Sequence, residues 1–115
     1  MTDESDIPED LAIRADELLH TQPYADLVAG MLAQSLERSG LHRHTTMLVW
    51  LGALVALDAP SESFLLNLGA ASQAGVKLDE VHGVIQTLTP IVGTPRAVSA
   101  IVKLTRLLSD DTGAG

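Results

Sequence analysis

Five polar side chains in the second half of the chain could hold a small molecule: Ser61, Ser63, Asn67, His82 and Gln86. The hydroxyl and amide groups among them are neutral donors and acceptors, so they could bind a carbonyl or a carboxylate through hydrogen bonds. His82 lies one turn before Gln86 and could face a pocket or an oligomer interface. The alternative is structural, with both serines capping a helix and Asn67 pairing with a nearby backbone group.

Other catalytic patterns are missing. The sequence contains no cysteine, which excludes disulfides, thiolate catalysis and cysteine-ligated zinc. No pair among its four histidines has the i, i+4 spacing with a carboxylate partner, so we predict no metal site. The sequence also has no phosphate-cradling glycine loop, dinucleotide fingerprint or serine nucleophile elbow. No cofactor is therefore expected.

The charge pattern argues against nucleic acid and membrane partners. The formal net charge is −8, and seven of the fifteen carboxylates fall within residues 3–17. No basic stripe is present that could neutralise phosphates. The longest apolar run, Met47 to Leu57, is about half the roughly 20 residues needed to span a bilayer. Because the first ten residues reverse the positive-then-apolar order of a signal peptide, we expect a cytoplasmic protein.

Apolar residues recur at helical spacing in six segments, and no strand pattern is present. Pro23, Gly40 and Gly75 end the first, second and fourth segments, and Pro90 should kink or end the fifth. The third segment has no polar face, so we expect protein on every side of it. Thr94 and Pro95 are typical of a helix start, here of the sixth helix, which should end near Leu108.

The domain prediction follows from these segments. The acidic start, residues 1–6, and the tail, residues 109–115, are expected to be disordered, and one helical domain covers residues 7–108.

Several short stretches between Leu41 and Leu108, about three fifths of the chain, together resemble the carboxymuconolactone decarboxylase and alkylhydroperoxidase-like family. They are Leu41 with Thr45 before a buried helix, Ala70-Ala71-Ser72-Gln73-Ala74-Gly75-Val76, Asp79-Glu80-Val81, and Gly93-Thr94-Pro95-Arg96-Ala97. The last of these looks like the family's Gly-x-Pro-x-Ala segment. The resemblance implies an alkylhydroperoxidase-like orthogonal helical bundle that assembles into trimers or multiples of three.

The reactive residues of the family differ in this chain. In the thiol peroxidase branch a Cys-x-x-Cys pair would fall on Pro60 and Ser63, and the following histidine on Asn67. The branch's glutamate on the buried helix would fall on Met47. In the lactone decarboxylase branch the comparable carboxylate and histidine also fall on or beside Ser63 and Asn67. No catalytic residue is therefore assigned.

The sequence thus predicts a cysteine-less member of this family that is non-catalytic and either oligomeric or small-molecule-binding. The alternative is a non-redox, decarboxylase-type enzyme acting on a small lactone or carboxylate. A homo-oligomer is expected because the third, fourth and sixth helices have very wide apolar faces, and the sixth spans roughly 220°. Only one of the three can lie at the centre of a six-helix domain, so the other two should keep apolar surface for copies of the chain.

The first prediction concerns peroxide chemistry. The purified protein should not turn over hydroperoxides with dithiol reductants, because no thiolate is available to attack the peroxide. Consumption of the reductant would be followed spectroscopically, with a heat-treated sample as the control. Turnover above that control would show that the reaction proceeds here without cysteine.

Overall fold

The computed structural model describes residues 5–21 and 23–110, and within them the chain is entirely helical, with no β-strand. The six helices are α1 (Glu9–Thr21), α2 (Ala25–Ser39), α3 (Arg43–Leu57), α4 (Ser61–Gln73), α5 (Leu78–Val92) and α6 (Thr94–Asp110). The predicted all-α, six-helix fold is confirmed. The alkylhydroperoxidase-like type of bundle and its assembly into oligomers stay predictions.

Helix α4 is the central helix of the bundle. It packs against α1, α3 and α6, and its apolar side chains Phe64, Leu65 and Leu68 are buried. Of the three helices with wide apolar faces, α4 therefore takes the central place. The others keep apolar residues at the surface, including Val98 and Ile101 on α6.

Within the single chain, helix α3 is not enclosed on every side, contrary to the prediction. Met47, Leu51 and Val55 point into the core, but Val49 is 55% exposed and Leu57 is 76% exposed. The number of neighbouring helices decides how much of an apolar helix is buried, however wide its apolar face is. Here α4, α5 and α6 cover part of α3 and leave a strip of apolar surface.

Helices α1 and α4 approach each other closely where they cross at Gly69. A Cβ atom built on Gly69 would lie 2.5 Å from the Cβ of Ala15 and 3.5 Å from the Cα of Ala12. Both of those atoms belong to α1, and neither can move without moving that helix. Two small residues therefore set the spacing between α1 and α4.

The helix ends largely follow the predicted signals. Gly40 caps α2 in the left-handed conformation, with φ at 73°, and α6 begins at Thr94. Pro90 does not end α5, since the helix continues to Val92 and stops at Gly93. Only Ile91 and Val92 follow the proline in the helix. The carbonyl of Gln86, which loses its helical donor because proline has no N–H, belongs to an exposed residue where water can bind it.

The turn from α3 to α4 is tied to α6 through Asp58, which is left-handed with φ at 51°. Its Oδ1 accepts hydrogen bonds from Ser99 Oγ at 2.6 Å and Lys103 Nζ at 2.9 Å. These two hydrogen bonds hold the pKa of Asp58 below its ordinary value. The bond from the Ser99 hydroxyl has the larger effect, and the bond from Lys103 comes second. Lys103 Nζ also donates to the Ala59 carbonyl at 2.7 Å, so the cluster serves to join elements of the fold.

The two segments predicted to be disordered, residues 1–6 and 109–115, are each described only in part. Residues 1–4 and 111–115 lie outside the described residues. Ser5 and Asp6 contact the start of α5, where the Leu78 amide donates to the Ser5 carbonyl and Lys77 pairs with Asp6. Helix α6 extends two residues past the predicted end at Leu108.

Helix α2 has no buried residue, although its apolar side chains follow helical spacing. Leu27 and Met31 are 64% and 63% exposed, and Val28 and Leu32 are also largely at the surface. The helix touches the bundle through a few contacts with α1 and stands beside the α3 and α4 faces without closing on them.

Among residues 5–21 and 23–110, we find no helix with the length and apolar character that crossing a membrane requires.

The second prediction tests the α1–α4 crossing. Gly69→Ala should lower the free energy of unfolding by about 1–3 kcal/mol, because the added methyl group overpacks the contact with Ala15. Gly30→Ala in α2 is the matched control, since a Cβ there meets nothing within 4 Å. That control should be neutral or slightly stabilising, as alanine favours helix by roughly 1 kcal/mol over glycine. Urea unfolding measures the free energy of unfolding of both variants. Equal values would show that the α1–α4 crossing does not require glycine at position 69.

Candidate functional site

A cavity of about 370 Å³ lies between α2, α3 and α4. Its lining is almost entirely apolar and includes two polar residues, Ser63 and Asn67. The apolar lining residues are Val28 and Leu32 from α2, Trp50, Ala53 and Leu54 from α3, and Leu66 and Ala70 from α4. A cavity of this size and character can hold a small organic molecule.

Helical spacing explains how each element contributes to this cavity. Ser63 and Asn67 are four residues apart on α4, so their side chains lie one above the other on one face. Val28 and Leu32 on α2, and Trp50 and Leu54 on α3, have the same spacing. Three helices therefore each present one stripe to a common space.

Asn67 is the buried polar residue of this lining, with 8% of its surface exposed. Its Nδ2 donates to the Met47 carbonyl of α3 at 3.4 Å, which is long for such a bond. Its Oδ1 has no hydrogen-bond partner among the described residues. An unpaired buried acceptor costs about 1–3 kcal/mol, so Asn67 is a poor choice for the stability of the fold alone.

Ser63 stands one turn before Asn67 at the partly exposed edge of the cavity. Its backbone amide donates to the Pro60 carbonyl at 3.0 Å as α4 begins. Its hydroxyl makes no hydrogen bond to any of the described residues, which leaves it free to donate or accept. Together Ser63 and Asn67 supply neutral polar groups to an otherwise apolar space.

The structure does not bring the other predicted pocket residues to this place. Ser61 opens α4 but does not line the cavity, and His82 and Gln86 are exposed on α5. Val81 and Ile85 occupy the buried face of α5, which turns His82 and Gln86 towards solvent. The five candidates therefore separate into one pair at the cavity and three residues away from it.

A second cavity of about 490 Å³ adjoins the first and shares Leu32, Trp50 and Ala70 with it. It extends along α2 towards Leu36, and its lining includes the charged residues Glu37 and Arg43. The trough beneath α2 is thus apolar at the Ser63 end and more polar at the Arg43 end.

His44 of α3 and Glu80 of α5 contact each other outside both of these cavities. His44 Nε2 lies 3.0 Å from Glu80 Oε1, and the Lys77 backbone amide donates to the same carboxylate at 3.0 Å. Both contacts lower the pKa of Glu80, and the hydrogen bond from the Lys77 amide has a larger effect than the one with His44. Glu80 closes the first turn of α5 in a capping arrangement, and this accounts for its position.

No group of three histidine, aspartate or glutamate side chains converges as a metal site within the described part of the chain.

Comparison with known proteins does not assign this site. No family model, curated protein or solved structure matches the chain. The resemblance to the carboxymuconolactone decarboxylase-like family therefore stays a prediction that depends on the short stretches quoted above.

The geometry favours binding over acid–base catalysis at this cavity. None of its nine lining residues has a side chain that titrates near neutral pH. General acid or base catalysis needs such a group within hydrogen-bond reach of the reacting atoms. What the lining offers is a large apolar contact area with a hydroxyl and an amide on one side.

The third prediction separates a structural from a ligand-directed role of Asn67. Asn67→Leu should leave the free energy of unfolding unchanged or raise it, because the substitution removes a buried oxygen that has no partner. Leu68→Asn, at the neighbouring fully buried position, is the matched control and should cost several kcal/mol. Thermal and urea unfolding measure both. A loss above about 1 kcal/mol in Asn67→Leu would mean that the amide holds the fold together.

Proposed function

We propose that this protein is a non-catalytic, cytoplasmic, homo-oligomeric domain that binds a small, neutral and largely apolar molecule between α2, α3 and α4. The observation that carries the proposal is Asn67, a buried amide with an unused acceptor in the lining of an apolar cavity. Binding sites of this kind combine apolar contact with a few polar groups that orient the ligand.

The lining favours a neutral carbonyl compound such as a small lactone over a carboxylate. A carboxylate placed beside Ser63 and Asn67 would lose hydration without gaining a cationic partner from the cavity lining. A lactone that also carries a hydroxyl group keeps a carbonyl oxygen to accept from the Ser63 hydroxyl and a donor for Asn67 Oδ1, and it places its carbon skeleton against Trp50 and Leu54. The adjoining cavity holds Arg43, so a carboxylate would have to bind at that end.

The homo-oligomer is supported by the apolar surface that the single chain leaves uncovered. Exposed apolar side chains occur on α2, α3 and α6, with Met31, Leu57 and Ile101 as examples. Soluble monomers rarely leave large contiguous patches of this kind, and association of identical copies removes them. A trimer, or a multiple of three, is the expectation that the family resemblance adds.

The decarboxylase-type enzyme is the weaker alternative. It would need an acid or a base at Ser63 or Asn67, where the chain has neutral groups.

The fourth prediction is a ligand-dependent thermal shift. A panel of small lactones, with the matching open-chain carboxylates as controls, should contain a lactone that raises the melting temperature. At 100 times its dissociation constant, a ligand adds about 2.7 kcal/mol of stability. Its carboxylate counterpart should add little.

Two variants locate the effect. Ala70→Leu places bulk in the lining of both cavities and should abolish the shift, whereas Ala56→Leu on the exposed side of α3 should retain it. The cavity is not the proposed binding site if the carboxylates raise the melting temperature more than the lactones do. The same conclusion follows if the lactone raises the melting temperatures of Ala70→Leu and Ala56→Leu equally.

A further inference from the structure

A shallow apolar groove of about 680 Å³ runs between α3 and α5 on the outer side of the bundle. We call it the α3–α5 groove, lined by Val49, Gly52, Ala53, Gly83, Val84 and Thr87, with Glu80 at one end. A Cβ on Gly83 would meet nothing within 4 Å, so the groove is open above this position. Small residues at its floor let another helix approach closely, as ridges of one helix pack into grooves of another.

Helix α2 has two apolar stripes, and only one of them faces its own bundle. Val28 and Leu32 line the cavity, whereas Leu27, Met31 and Arg38 fall within an arc of roughly 40° about 100° further round. Leu27 and Met31 are among the most exposed apolar residues of the chain. We call Leu27, Met31, Gln34 and Arg38 the outer stripe of α2.

The outer stripe and the groove match in length and in charge. Leu27 and Arg38 are eleven positions apart, and so are Glu80 and Ile91 along the groove side of α5, which corresponds to about 16 Å in each case. Arg38 makes no ion pair within the described residues. Glu80 already contacts His44 and the Lys77 amide, but its side chain is 35% exposed and can take a further partner. An antiparallel arrangement puts Arg38 beside Glu80, Met31 beside Thr87 and Leu27 beside the exposed Ile91.

We propose that the outer stripe of α2 docks antiparallel into the α3–α5 groove of a second copy of this chain. The proposal rests on the homo-oligomer proposed above and names the surfaces that form it. The partner copy would then hold α2, and with it one wall of the ligand cavity, in place. Each chain contributes one α2 and one groove, so the same contact can repeat around a closed ring or pair two copies.

Charge favours a second copy over a membrane surface as the occupant. Amphipathic helices that lie on anionic membranes are rich in lysine and arginine, whereas α2 contains Asp26 and Glu37 against Arg38 alone. The chain as a whole has a net charge of −8, which opposes anionic lipid. The groove ends at Glu80 and the stripe ends at Arg38, so the docking places Arg38 on the exposed part of a carboxylate whose buried side already pairs with His44 and the Lys77 amide.

Disulfide cross-linking tests the register, because the chain has no cysteine of its own. The variant with both Met31→Cys and Thr87→Cys should form covalent dimers or longer ladders under mild oxidation on a non-reducing gel. Light scattering of the reduced protein at micromolar concentration, done first, should give a multiple of the 12.1 kDa chain mass. Melting curves in reductant check that each variant is folded.

The controls distinguish the possible contacts. Glu37→Cys with Thr87→Cys places the thiol on the same helix but about 120° away from Met31, and it should cross-link at least ten-fold more slowly. Cross-linking by Met31→Cys alone would mean that α2 pairs with α2, and by Thr87→Cys alone that groove faces groove. Either result, equal rates in the Glu37 control, or no covalent dimer in the double variant overturns this docking.

Failure of the docking is distinct from failure of the oligomer. An assembly that scatters as an oligomer yet gives no Met31–Thr87 cross-link contradicts the groove contact alone. A mass of 12.1 kDa for the unmodified protein contradicts both the oligomer and the docking.

Discussion

The close crossing of α1 and α4 at Gly69 and Ala15 is the constraint on which the rest of the structure depends. With no room for a single methyl group between them, the two helices pack with their backbones close together, and a larger side chain at the crossing would push them apart. Helix α4 is thereby held at the centre, where α3 and α6 pack on its remaining apolar faces. Asn67 lies on a different face of α4 from Gly69, at roughly 160° around the helix. The firm contact on one side therefore positions the polar residues on the other.

The cavity consequently has walls of unequal firmness. Trp50 and Leu54 belong to α3, and Ser63 and Asn67 to α4, and both helices contribute side chains to the core. The α2 wall has no buried residue of its own. A ligand between them would meet two fixed surfaces and one that the bundle alone holds weakly. The ligand-binding and self-association proposals are for this reason linked through a single helix.

Most of the fold could be predicted from the sequence, because helical periodicity and end signals are local. Gly40 and Thr94 mark helix boundaries by backbone preferences that need no tertiary information. The environment of each helix could not be predicted in this way. Periodicity measures how wide an apolar face is, and it does not say which neighbours cover that face. This explains why α3 was expected to be enclosed while Val49 and Leu57 are exposed.

Part of the lining of the candidate cavity could be recognised from the sequence for the same reason. Ser63 and Asn67 stand out as polar residues at helical spacing within an apolar segment, and both line the cavity. His82 and Gln86 share that spacing on α5, but the buried face passes through Val81 and Ile85 instead. Trp50, Leu54 and Leu66 could not be distinguished from core residues, because the wall of an apolar cavity and the interior of a bundle have the same composition.

Helix α2 is the part of the chain whose helical structure has the least support from the rest of the bundle. Fifteen residues lie at the edge of what forms a helix in water without tertiary contacts, and α2 gains little from its own bundle. Its secondary structure should therefore depend on burial of its apolar stripes by another molecule. If copies of the chain associate through α2 as proposed, ordering of α2 and association would be one coupled step, and the helix content seen by circular dichroism would fall as the protein is diluted.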